Sequence, residues 1–185
     1  MFKNDFKFVN PRQMCWGDNY FGRFETAETA EEFENLLEKA RLKVSQGCQK
    51  TECECLAPHA CLLKNGIRRV ANSVQSDYFF LDCDDAAVNP HVLYDEKIRG
   101  RETELGIVYI EESYSGKTSI IGIRPEGYTI AQAQAWLAAK LGIEFDTHCK
   151  DLARCKFLTG RTIYNNYAGA LDGTLKAPKA PVIKN

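Results

Sequence analysis

The chain has 185 residues, 44% of them hydrophobic and 26% charged, with 24 Lys+Arg against 25 Asp+Glu. Such ordinary globular composition excludes collagen-like, disordered and membrane classes, and a formal net charge of −1 argues against a protein that coats nucleic acid through bulk charge, leaving a local basic groove open. A chain of this length buries roughly 70% of its unfolded surface, so one core suffices without disulfides or metal.

No run approaches the roughly 18 apolar residues of a membrane span, so a membrane is not among the expected partners. The opening Met1-Phe2-Lys3-Asn4-Asp5-Phe6-Lys7 lacks the apolar stretch of a secretory signal. Eight cysteines in such a chain are expected as reduced thiols, and the expected location is the cytoplasm.

In chain order, residues 1–25 are rich in aromatics, among them Phe2, Phe6, Phe8, Trp16, Tyr20 and Phe21. Thr29 and Glu32 have capping-box spacing, and Phe33, Leu37, Ala40 and Val44 recur at helical period, which predicts a helix over about 30–46. The stretch 48–66 reads as a cysteine-bearing loop. A strand is expected over 76–82, and Asn89-Pro90 starts a short helix that ends by Gly100. Two β-branched runs, 105–112 and 118–124, flank a hairpin turn at 114–117. Thr129 and Gln132 open a helix through Leu141, closed by Gly142, and 144–146 and 155–158 are short strand candidates. The pattern predicts an α+β fold, a mixed β-sheet with helices mainly on one face. The expected organisation is a single domain over 1–175 and a linker-like tail over 176–185, of the kind that leads to a further domain.

Asp82-x-Asp84 closes the apolar run Tyr78-Phe79-Phe80-Leu81. Strand positions two apart project from one face, and two carboxylates placed so repel unless a cation lies between them. Hard oxygen ligands suit Mg²⁺ or Mn²⁺, as in two-metal nucleotidyl transfer. The plainer alternative is that Asp84-Asp85 caps the turn before Asn89-Pro90. Asp146 at a strand end could supply a third carboxylate. Ser115-Gly116-Lys117 lacks the first glycine of a P-loop, since that position is Glu111. Its turn amides and ammonium could still hold a phosphate, and the alternative is an ordinary hairpin. Arg154 could pair with a phosphate or serve a structural salt bridge. Cys48, Cys53, Cys55, His59 and Cys61 could supply a structural zinc site, although a C-x-C step is irregular for zinc and free thiols are the alternative.

Taken in order, Asp82-x-Asp84 after an apolar strand, the Ser113-x-Ser115-Gly116-Lys117 hairpin, Asp146, then Asp151-x-x-Arg154-x-x-Phe157-Leu158-Thr159 and Tyr164-Asn165 resemble the VirE-type N-terminal domain. That domain heads mobile-element replication proteins and is related to the archaeo-eukaryotic primase, or primase-polymerase, group. The resemblance covers about 55–165. It implies a primase-polymerase-like fold and a metal-dependent nucleotidyltransferase of the DNA primase or polymerase type, with Asp82, Asp84 and Asp146 as catalytic, metal-binding acids. It further implies nucleotide-phosphate contacts from Ser115, Gly116, Lys117 and Arg154, with a nucleoside triphosphate and DNA as partners and a helicase-like domain or protein as a further one. Two positions depart from the pattern: the second motif's basic residue falls on Ile120, and Arg161 stands where an aspartate is usual. The alternative function is a catalytically degenerate relative that binds nucleic acid or a partner without chemistry.

Overall fold

A computed structural model describes residues 9–83, 85 and 87–181. In chain order its elements are β1 (Met14–Gly17), β2 (Phe24–Ala27), α1 (Ala30–Ser45), β3 (Cys55–Ala57), β4 (Ala60–Leu63), β5 (Ser73–Gln75), β6 (Tyr78–Asp82), α2 (Pro90–Leu93), α3 (Glu102–Leu105), β7 (Ile107–Glu112), β8 (Thr118–Ile123), α4 (Ile130–Leu141), β9 (Lys156–Phe157), β10 (Thr162–Asn165) and α5 (Tyr167–Leu171). The class is α+β. The strands form two four-stranded sheets, β2-β1-β3-β9 and β10-β7-β8-β6, and the pair β4-β5, with every pairing between them antiparallel.

The two long helices begin on the same local device. Thr29 Oγ1 accepts from the Glu32 amide while the Glu32 carboxylate accepts from the Thr29 amide, both at 3.1 Å, and Thr129 with Gln132 repeats the exchange for α4. Each exchange satisfies otherwise orphaned amides of a first helical turn.

The central sheet β10-β7-β8-β6 is covered on both faces. On one, Phe79, Leu81, Ile107, Ile110 and Ile120 pack with Ile130, Ala133, Leu137 and Leu141 of α4. On the other, Phe80, Tyr109 and Ile121 meet Phe33 and Leu37 of α1, Tyr167 and Ala170 of α5, and Met14 and Leu56 of the second sheet. Burying each such side chain stabilises the fold by about 1.5–3 kcal/mol. Gly122 leaves room for Phe79, whose ring carbon Cε1 lies 2.9 Å from where a β-carbon would stand.

Strand β6 lies at the edge of its sheet, and its outer backbone groups are met by side chains and a returning segment. The Phe80 amide donates to His59 Nε2 (3.1 Å), Gln134 Nε2 donates to the Phe80 carbonyl (2.7 Å), and the Asp146 amide donates to the Asp82 carbonyl (3.0 Å). An isolated antiparallel bridge joins Cys83 to Phe145. Residues 176–181 run along the body: Pro178 Cδ packs beside Gly106, and Tyr128 Oη donates to the Pro181 carbonyl (2.7 Å). No helix among the described residues is long and apolar enough to cross a membrane.

Candidate functional site

Asp82 is the last residue of β6 and pairs in register with Ser119 of β8, which in turn lies opposite Glu111 of β7. Alternation along the strands sends Asp82, Ser119 and Glu111 to the same face as Phe80 and Ile121, away from α4. A cavity of about 290 Å³ opens at this corner, lined in part by Asp82, Asp146, Ser115, Lys117 and Arg154. Four separate chain segments thus bring five of the residues singled out in the sequence to one recess. Asp84 lies outside the described residues.

Each segment has a local reason for its place. The β7–β8 hairpin closes with the Ser113 amide on the Lys117 carbonyl (2.6 Å) and the Gly116 amide on the Ser113 carbonyl (2.9 Å). Gly116 occupies φ 80°, a left-handed conformation glycine adopts without strain. The Lys117 amide donates to Ser113 Oγ (3.1 Å), and Tyr114 Oη reaches the Cys48 carbonyl (2.9 Å), which ties the turn to the loop carrying Lys50. Asp146 arrives through the bridge beside Cys83. Its Oδ1 accepts from the His148 amide (2.8 Å) and its Oδ2 from the Cys149 thiol (3.0 Å). These donors hold its carboxyl below the usual carboxylate range. Arg154 spends Nε on Asp151 (3.1 Å) and Nη2 on the His148 carbonyl (3.0 Å), so it also fulfils the structural alternative.

Burial pushes the Asp82 carboxyl up; the Lys156 ammonium and the Ser119 hydroxyl oppose the shift, and the Asp146 charge adds to it. The Asp146 charge thus adds to the cost that burial puts on ionised Asp82, a cost that a divalent cation would relieve. Among the described residues no group of three or more His, Cys, Asp or Glu is set to hold a metal ion; Asp82 and Asp146 offer two hard ligands.

The cysteine cluster is dispersed. Cys48 and Cys53 face each other with sulfurs 3.1 Å apart, while Cys55 pairs with Cys155, one hundred residues on. Cys61 lies against the Val74 and Gln75 carbonyls at 3.4 Å each. His59 donates from Nδ1 to the Asp151 carbonyl (2.9 Å) and accepts at Nε2, which leaves no lone pair for a metal. The five residues that could have supplied a zinc site form no group of three or more suited to a metal ion among the described residues, and the cysteines are free thiols, as in the alternative reading.

The two departures from the VirE-type pattern have clear positions. Ile120 is fully buried in the apolar cluster under α4, on the face opposite Asp82, so a charge there would not reach the cavity. Arg161 donates to Glu112 (2.9 Å). Sequence reasoning missed Lys50 and Lys156, which also line the cavity, and Glu111 behind Lys156. With Lys117 and Arg154 they make four cationic side chains against two carboxylates among the described lining residues.

Nothing matches the chain among protein-family models, curated proteins or solved structures.

A second recess of about 510 Å³ adjoins the first and shares Arg154, Cys155 and Phe157 with it. Its wall is a stack: the Arg68 guanidinium lies 4.3 Å from the Tyr20 ring centre, and Tyr20 stacks on Phe157 at 5.7 Å. Phe21, beside them, is 82% exposed.

Proposed function

We propose that the chain is a primase-polymerase-like domain that binds a nucleoside triphosphate with Mg²⁺ or Mn²⁺ and a nucleic-acid strand. The observation that carries this reading is the meeting of Asp82 and Asp146 with Ser115, Lys117 and Arg154 around one cavity. Asp82, Asp146 and, from the sequence, Asp84 would hold the metal, which supplies charge neutralisation of the phosphates and activation of an attacking hydroxyl. Lys117 and the Ser115 hydroxyl would orient the triphosphate, since a small polar turn beside an ammonium offers both donors and charge. Arg154 would steer the anion towards the acids. Stacking on the exposed Phe21 beside the Arg68–Tyr20–Phe157 stack suits a single strand running past the second recess.

Calorimetry tests the reading. Mn²⁺ and dATP together should bind the purified chain, and the Asp82→Asn/Asp146→Asn variant should lose that binding while staying folded by circular dichroism. Equal binding by the variant, or none by the wild type, overturns it.

A second reading is favoured by Ile120, whose apolar burial deprives the second motif of its basic residue. On that reading the domain binds nucleotide or strand without chemistry. A primer-extension assay separates the two: extension that requires Asp82 supports catalysis, and binding without extension supports recognition alone.

A further inference from the structure

We propose that Lys156 is the residue that grips a phosphate at the floor of the cavity, and that Glu111 is the positioning residue that aims it. The inference deepens the nucleotide-binding reading above, on which its choice of ligand rests. Lys156 is the first residue of β9 and its side chain is only 3% exposed, yet it forms part of the cavity wall. An ammonium carries three donors. Among the described residues, Lys156 has one hydrogen-bond partner, Glu111 Oε1, together with the Tyr109 ring face at 5.4 Å.

Glu111 is built to hold that one bond. Its other oxygen, Oε2, accepts from Tyr109 Oη (3.0 Å), the Thr159 amide (3.1 Å) and the Gly160 amide (3.2 Å), while the Thr159 hydroxyl donates to the Glu112 carbonyl (2.6 Å). The carboxylate is therefore fixed from behind by three donors and presents Oε1 forward. Gly160 permits the approach, because a β-carbon there would stand 2.2 Å from the Leu37 carbonyl.

A purely structural buried pair would have its remaining donors satisfied within the protein, since burying unpaired N–H groups is costly. Among the described residues Lys156 instead meets one acceptor, Glu111 Oε1, and lies beside a cavity. Ser119, on the same face between Asp82 and Glu111, turns its hydroxyl to the Asp82 carboxylate and so leaves Lys156 as the donor of this floor. Lys156 thus gives the cavity a buried cation with donors to spare, and a phosphate oxygen supplies an acceptor and negative charge at once. Such a cation also answers the Ile120 departure, because the charge comes from β9 rather than from β8.

The test uses two probes on the full chain, metal-free inorganic tripolyphosphate and dATP with Mn²⁺, titrated calorimetrically into wild type, Lys156→Met, Lys156→Arg and Glu111→Gln. Lys156→Met should weaken both probes tenfold or more, Lys156→Arg should keep part of the affinity, and Glu111→Gln should weaken both severalfold. Adenosine, which has no phosphate, should show no dependence on Lys156. If Lys156→Met does not fold, the Glu111→Gln/Lys156→Met pair removes both charges and keeps an acceptor for the three donors. Wild-type affinity for either probe in that variant, or in Lys156→Met, overturns the inference and leaves the metal–nucleotide reading standing. Lys156-dependent tripolyphosphate binding without any dATP binding supports the inference and overturns that reading; binding of neither probe by the wild type overturns both.

Discussion

The two faces of the central sheet come from the same strands and reach opposite chemistry. Leu81, Ile110 and Ile120 turn to α4 and make a dry apolar layer, whereas their neighbours Asp82, Glu111 and Ser119 turn the other way and form the polar corner. The apolar face fixes the register, because a slip of one residue in one strand would exchange its contributions to the two sides. The chemistry of the cavity is thus held in place by packing on the face that never touches it. The difference also explains why a residue's place in a motif can mislead: Ile120 is one position from Ser119 and belongs to the other face.

Substitutions can break this division, beginning with the largest effect. Phe79→Ala removes a fully buried ring and should cost about 3–5 kcal/mol in urea unfolding, while the folded molecules bind Mn²⁺ and dATP as before. A change in nucleotide affinity as large as the change in stability would show that the faces are not separable. Acid should act through His59, whose burial pushes its pKa down to about 4 from 6.5. Between those values the unfolded chain binds the proton that the folded chain refuses, so stability is full above about pH 6.5 and falls by up to about 3 kcal/mol towards pH 4. A pH series of thermal melts on wild type and His59→Gln checks this, because the variant should lose that slope.

Ile120→His is the sharper probe of the comparison. It restores the residue type that the resemblance expects, yet it should lower stability by about 2 kcal/mol and bring no gain in dATP affinity, since the imidazole would enter the apolar layer. The smallest effect is on the polar face. Burial holds the Asp82 pKa above its usual value, so the ionised form opposes folding at neutral pH. Asp82→Asn should therefore raise the melting temperature slightly at pH 7, with the gain shrinking as the pH falls through the carboxyl's titration range.

What the sequence disclosed was mostly what is encoded locally. The capping pairs Thr29/Glu32 and Thr129/Gln132, Gly142 as a stop and the Ser113–Lys117 hairpin all depend on residues a few positions apart, and the structure has them there. The first 66 residues were harder. Cys55–Ala57 and Ala60–Leu63 read as loop, because three or four residues give no period and their partners are distant: β3 pairs with β1 and with β9, about one hundred residues later. The acids Asp82 and Asp146 stood out as strand-end carboxylates. Lys156 did not, since nothing near it in sequence shows that Glu111, 45 residues earlier, lies behind it. Cysteine spacing invited a shared ion, whereas Cys55 meets Cys155, one hundred residues on, and Cys61 lies against carbonyls of β5.

The sealed edge of β6 carries a consequence for how the molecule is made. Its run Tyr-Phe-Phe-Leu is the kind of apolar strand that pairs readily with another chain when its backbone is bare. Of the groups that cover it, His59 precedes the strand, but Gln134 follows Phe80 by 54 residues and Asp146 is made later still. At about 5–20 residues per second, a ribosome leaves that edge open for several seconds after the strand emerges. The newborn chain is most prone to aggregate in that interval, and a ribosome-associated chaperone that shields residues 78–82 would be expected to raise its yield more than one acting on the finished domain.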